Sequence, residues 1–226
     1  KLYFTLADDH IFSFEAQHLD QEENPFSRAI RDRNPFTRLI PFSSSVNKYD
    51  VTQERLVQTA KLEAKLDYYY LLNDTSNINL SLGVTDVKQD FDSSFFQILD
   101  NGSLLNFNDP TFNNDVNFDF SDAYIALNYR LRTGIFTIDP GLTLHYYKTK
   151  NTQLGTSFER NISDLRPNLR INLQFKKSES LRLTYRKNTQ FTDINNLAEG
   201  FVFNNYNSIF QGLSLIHISE PTRPRI

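Results

Sequence analysis

The sequence predicts an all-β protein, an antiparallel up-and-down run of about eight strands, and three observations carry that expectation. Apolar residues recur at every second position through long windows, the period at which strand side chains return to one face. Short polar turns alternate with much longer connections. Within the strand windows one face is free of Asp, Glu, Lys and Arg, whereas the other is charged.

The longest window is Arg55 to Tyr70. Its even positions read Leu56, Gln58, Ala60, Leu62, Ala64, Leu66, Tyr68, Tyr70, and its odd positions include Lys61, Glu63, Lys65 and Asp67. Gln, Glu, Lys, Leu and Ala favour a helix by propensity, but a helix would scatter Leu62, Ala64 and Leu66 around its circumference. A strand is therefore expected, and the alternation resumes after Asn73-Asp74-Thr75-Ser76 with Ile78, Leu80, Leu82 and Val84. A second pair carries Ala123, Ile125, Leu127, Tyr129, Leu131 and then Phe136, Ile138, Pro140, Leu142, Leu144, Tyr146. Proline cannot donate to a ladder, so a bulge or a break is expected at Pro140-Gly141. A third pair spans Leu165 to Phe175 and Leu181 to Tyr185, and an N-terminal pair holds Leu2, Phe4, Leu6 and Phe12, Phe14, Ala16.

The strands are placed at Lys1 to Leu6, Ile11 to Leu19, Thr52 to Leu72, Asn77 to Gln89, Asn117 to Leu131, Ile135 to Tyr147, Leu165 to Phe175 and Leu181 to Thr189, with a ninth starting near Phe201. Long connections are read at Gln21 to Asp50, Phe91 to Val116 and Tyr147 to Asp164. Compact soluble domains rarely hold several structureless loops beyond about 12 to 15 residues. Outer-membrane barrels, by contrast, pair short periplasmic turns with long extracellular loops. The turns near Asp8, Asp74, Thr133 and Ser178 then face the periplasm, and Tyr68, Tyr69 and Tyr70 lie in the interfacial girdle. A soluble β-sandwich also alternates, but Arg55 to Tyr70 exceeds the usual sandwich strand of about 5 to 6 residues.

The fold expected is thus a segment of an up-and-down transmembrane β-barrel. The lipid-facing candidates are Leu62, Leu66, Leu80, Leu82, Ile125, Leu127, Leu142 and Leu144, and the lumen-facing candidates are Lys61, Glu63, Lys65, Asp67, Arg130, Arg170 and Arg182. These inward side chains are bulky and charged, suited to a wide watery lumen. The strands should accordingly pair in sequence order as an open curved sheet, a slice of a larger wall with unpaired backbone groups along its first and last strands, and not a closed barrel of 8.

Composition narrows the chemistry. A formal net charge of -3 gives no basic patch for a phosphate backbone, so nucleic acid is not an expected partner. No cysteine is present, which removes disulfides, thiolate nucleophiles and zinc-cysteine clusters. No run approaches the roughly 20 apolar residues of a membrane-spanning helix. His10, His18, His145 and His217 lack metal-type spacing, and neither a phosphate loop nor a Gly-x-Ser-x-Gly elbow occurs. No catalytic, cofactor-binding or metal residue is assigned, and an enzyme is not expected. Asp100-Asn-Gly and Asn108 to Asp115 hold oxygens a calcium ion could use, but such residues are also what solvated turns contain. Arg28, Arg31, Arg33 and Arg38 sit in the first long loop, around the Asn-Pro-Phe repeats at Asn24 and Asn34, and read as a solvated loop with some capacity for anionic groups.

Leu165-Arg-Pro-Asn-Leu-Arg-Ile-Asn-Leu-Gln-Phe, then Leu181-Arg-Leu-Thr-Tyr-Arg, Phe191-Thr-Asp-Ile-Asn-Asn-Leu and Asn204 to Gly212 resemble the barrel of TonB-dependent receptor-like outer-membrane proteins of the Bacteroidota type. The resemblance is carried by Leu165 to Gly212 and upstream by hairpin rhythm. It implies a 22-stranded barrel with an N-terminal plug, located in the outer membrane and importing an unknown ligand. Implied partners are outer-membrane lipid, lipopolysaccharide and, through N-terminal parts, an energy-coupling inner-membrane complex. An adhesive or structural barrel whose long loops bind a partner is the alternative. The start at Lys1 without Met suggests a piece of a longer protein. After Gly212 the pattern departs, and Leu213 to Ile226 resembles a translated sequencing adapter. Residues 1–213 are therefore read as partial barrel and residues 214–226 as a non-native tail.

Overall fold

The computed structural model describes residues 1–37, 39–107, 109–189, 194–205 and 208–212. Its strands are β1 (Leu2–Ala7), β2 (His10–Glu23), β3 (Phe26–Arg31), β4 (Tyr49–Asn73), β5 (Ser76–Ile98), β6 (Leu104–Asn106), β7 (Asn113–Thr133), β8 (Phe136–Gln153), β9 (Thr156–Lys176), β10 (Glu179–Arg186), β11 (Phe201–Asn205) and β12 (Ser208–Gln211). Among the described residues helix is confined to single 3-10 turns at Pro110–Phe112 and Ile194–Leu197.

One sheet runs in the order β1-β2-β4-β5-β7-β8-β9-β10, with every neighbour antiparallel, β3 added on β4 and β6 on β5. It is open: β1 and β10 are the two ends of the order and do not pair with each other. The meander of eight expected strands is present, and each runs between the same short turns at Asp8-Asp9, Asp74-Thr75, Gly134-Ile135 and Lys177-Ser178.

Three features differ from the sequence expectation. First, the strands are far longer than the apolar windows: β4 has 25 residues and β5 has 23. At about 3.3 Å per residue β4 reaches roughly 80 Å, whereas about 9 to 11 tilted residues span a bilayer. The long connection expected at Tyr147 to Asp164 is in fact a hairpin, β8 paired with β9 to Gln153↔Thr156 around Leu154-Gly155. Both turn residues have positive φ, 50° and 75°, as the two-residue hairpin turn that matches strand twist requires. Likewise β3 and β6 form inside the other two expected loops.

Second, Pro140 causes neither bulge nor break. β8 is continuous, and the rungs Asn128↔Gly141 and Leu131↔Ile138 share one register. The two rungs between them are dropped on the β7 side, while Pro140↔Leu169 persists toward β9. A missing N–H thus costs local pairing without shifting the strand.

Third, the ninth strand does not extend the wall. Among the described residues β11 pairs with β12 alone, and this hairpin folds over the sheet. Two buried clusters hold it there. Phe203 packs with Val51, Phe95, Phe36 and Phe112, while Val202, Leu197 and Ala198 pack with Phe91, Val116 and Phe118. Val51, Phe91, Phe95 and Val202 are at most 1 % exposed, so the molecule's core lies at the end of the sheet away from the turns at Asp8-Asp9, Asp74-Thr75, Gly134-Ile135 and Lys177-Ser178. The tail from Leu213 to Ile226, with His217 and Glu220, as well as Arg38, Asn108, residues 190–193 and residues 206–207, lie outside the described residues.

Candidate functional site: a two-faced wall

Antiparallel pairing sets residues of like face in rows across the sheet. The row Phe14, Leu66, Leu82, Ile125, Leu144, Leu165 crosses six strands, each member directly opposite the next. Leu80, Leu127 and Leu142 form the adjacent row with Tyr68 and Pro167. Leu62, Leu66, Leu82, Ile125, Leu127, Leu142 and Leu144 are between 40% and 52% exposed, and Leu80 is half-buried. All eight candidates assigned to this face therefore share it.

The apolar band is bounded. On β4, Leu62 already lies opposite His18 and Asp86. Beyond it the same face reads Asp86, Lys88, Asp90, Asp92 on β5, Ser121, Asp119, Asn117, Asp115 on β7, and Lys148, Lys150 on β8. On β9 the uncharged run from Leu165 to Phe175 matches the height of a membrane-spanning strand. Outside this band Asp92 faces Asp115 with Asp90 nearby, and desolvation followed by these like charges raises its pKa. Glu159 is held below its usual range by the hydrogen bond from Lys148 Nζ at 2.8 Å.

Aromatic side chains sit at the turn end of the band. Tyr68 and Tyr70 stack with His10 at ring separations of 5.9 and 4.7 Å, and Phe12 stacks on Tyr68. Tyr69, expected in the same girdle, points the other way, because one step along a strand changes face.

The opposite face carries the seven charged candidates. Neighbours two apart on one strand neutralise each other, Lys61 with Glu63 at 2.7 Å and Lys65 with Asp67 at 3.0 Å. Asp67 also accepts from Ser81 Oγ, and Glu63 from Gln17 Nε2 at 2.8 Å. Arg130 forks onto Asp139 through Nε at 2.7 Å and Nη2 at 3.3 Å, and Arg182 Nε donates to Asn172 Oδ1 at 2.9 Å. Surface pairs of this kind contribute about 0–1 kcal/mol each, although Asp67 itself is buried. Their consequence is a hydrated, nearly balanced surface. His145 Nδ1 meets Asp122 at 2.9 Å and its ring stacks on Tyr147, giving this histidine a defined partner on the charged face.

Toward the far end this face changes character. Around Arg55 its charges thin out to Val57, Gln53 and Val51 on β4, Phe91 and Phe95 on β5, and Val116 and Phe118 on β7. Here buried and half-buried amides grip the inward segment by its main chain. Gln53 donates to Phe201 O at 3.0 Å and accepts from Phe203 N at 2.8 Å. Gln153 does the same with Leu197 O and Glu199 N, and Asn114 with Phe201 O and Gly200 N. Gln97 brackets Ser43 in the first long connection. Each amide supplies a donor and an acceptor, as a strand edge would. Sequence reasoning missed these residues, although Phe91-Asp92-Ser93-Ser94-Phe95 and Val116-Asn117-Phe118-Asp119-Phe120 alternate with the polarity reversed.

The oxygen-rich turns are used internally. Asp109 Oδ1 accepts from Thr111 N at 2.8 Å, Asn101 Oδ1 from Ser103 N at 2.9 Å, and Asp100 Oδ2 from Asn47 N at 2.9 Å. Arg28 pairs with Asp50. Among the described residues no group of three or more His, Cys, Asp or Glu side chains is placed to hold a metal ion.

No family model matches the sequence, and no curated protein matches it significantly. Solved structures do match the fold. The unliganded ferric citrate transporter FecA superposes with a TM-score of 0.53 at 12% identity over 80% of this chain and 25% of that one. The alcaligin outer membrane receptor FauA from Bordetella pertussis also matches over 81% of this chain and 33% of that one, at 13% identity and a TM-score of 0.31, too low to bear on the fold. The chain thus spans about a quarter of the length of the transporter it resembles, and what the likeness shows is an all-β antiparallel barrel wall, open in this chain.

Proposed function

We propose that the chain is the barrel portion of an outer-membrane TonB-dependent receptor-like transporter that takes up a substrate across the outer membrane. The observation that carries this reading is the uncharged band from Leu165 to Phe175 and its partners, bounded by charge on its own face and backed by charge on the other. Such a band suits lipid outside and a watery lumen inside. The fold likeness to a ferric citrate transporter supports the same reading. The short turns would face the periplasm, lipid and lipopolysaccharide would surround the band, and an energy-coupling complex would act through N-terminal parts.

The test is uptake by cells carrying the full-length parent, with and without a working energy-coupling complex. Uptake that requires the complex supports the transporter. A parent found in outer membranes that binds a partner yet supports no uptake would select the adhesive alternative, which the β8–β9 ribbon favours by projecting past the band to Gln153 and Thr156.

A further inference from the structure

Near the short turns the charged face holds an open cavity of about 510 Å³. Its floor is one row across four strands, Asn128, Gly141, Asn168 and Arg186. Gly141 leaves room above the row for both amide side chains: a Cβ there would lie 2.1 Å from Asn128 Oδ1 and 2.5 Å from Asn168 Nδ2, and the two amides would have to swing aside. Arg166 and Arg170 stand two residues either side of Asn168 on β9, and Arg186 lies directly opposite Asn168 on β10. Diagonal neighbours in an antiparallel pair are about 7–8 Å apart, within reach of arginine side chains converging on one group.

The cations outnumber their partners. Arg130 is matched by Asp139, and Arg166 and Lys187 share Asp164. Among the described residues the guanidinium groups of Arg170 and Arg186 have no hydrogen-bond or ion-pair partner. The Nη2 of Arg166 is buried without a hydrogen-bond acceptor, while the guanidinium lies over the Tyr147 ring at 5.3 Å from its centroid. A buried donor without an acceptor is costly, and planar guanidinium forks match the paired oxygens of carboxylate and phosphate.

We propose that this cradle is an oxyanion-binding site that takes a carboxylate or phosphate group of a solute within the lumen, with Arg166, Arg170 and Arg186 as donors and Asn168 between them. The site rests on the reading of this face as lumen wall and adds a ligand chemistry to it.

The experiment titrates the full-length parent, refolded in detergent micelles, with inorganic phosphate and separately with succinate by calorimetry. Wild-type protein should bind at least one of them, more weakly at high salt. Joint Arg170→Gln and Arg186→Gln should weaken binding at least tenfold, and the corresponding lysine pair should restore it only in part because the fork is lost. Lys61→Gln, on the same face but outside the cradle, should bind as wild type. Binding of phosphate alone or of succinate alone supports the site and fixes its ligand class. Heat-modifiable migration of the same samples reports the wall separately: normal migration without anion binding, or binding unchanged in the glutamine pair, would overturn the site and leave the barrel reading standing.

Discussion

Leu82 lies at the centre of the apolar band, opposite Leu66 and Ile125, with no charged residue in its row from Phe14 to Leu165. Leu82→Arg places a guanidinium where that reading puts the hydrocarbon, at a cost of roughly 2–4 kcal/mol near the midplane. At about 1.4 kcal/mol per tenfold, that is on the order of 30-fold to 1,000-fold in the folding equilibrium. Thr85→Arg is the matched control. It adds the same side chain three residues on, on the opposite face, where Glu63 and Asp122 flank it, so its cost should be within about 0.5 kcal/mol, as for surface substitutions. Leu62→Arg should fall between them, because Leu62 sits at the rim opposite Asp86 and His18. Folding into lipid vesicles, followed by gel migration with and without heating across a urea series, gives the three midpoints. Equal midpoints for Leu82→Arg and Thr85→Arg would refute the assignment of faces.

Gln53 is fully buried and its amide bonds both Phe201 O and Phe203 N. Gln53→Leu should strand those groups at about 1–3 kcal/mol and speed proteolysis within 194–212, while the barrel's heat-modifiable migration is kept. Asp92 has a raised pKa, so its ionised form is disfavoured in the fold and stability is lost as pH rises above the ordinary value of 3.8. Asp92→Asn should therefore raise the urea midpoint at neutral pH, with the gain vanishing below pH 3.8. Leu154, at φ 50° in the β8–β9 turn, occupies a left-handed conformation that costs a non-glycine residue roughly 1–2 kcal/mol. Leu154→Asn, better suited to that conformation, should raise the thermal midpoint of the refolded chain.

The sequence by itself determined the strand type, the pairing order and the two faces of the membrane-height segment. Burial on one side only forces period-two alternation, and a one-residue slip would reverse every side chain, so Leu66, Leu82 and Ile125 could be assigned to one face and Lys65 to the other. Pairing order followed because each short turn joins neighbours. What only the tertiary structure decided lies past the band. From Tyr147 to Asp164 both faces are largely polar, the hydrophobic signal lapses, and backbone hydrogen bonds with polar cross-strand pairs such as Lys148–Glu159 continue the strands to Gln153↔Thr156. At Phe91, Phe95, Val116 and Phe118 the alternation returns reversed, because the other face is now the buried one. Its cover, β11 and β12, comes from more than a hundred residues away in the chain for the Gln53 contacts, at a separation of 148. The cradle around Asn168 likewise exists only when β7 to β10 stand side by side. Local pattern specifies which way a side chain points along its own strand, whereas burial of a face depends on what distant chain arrives to cover it.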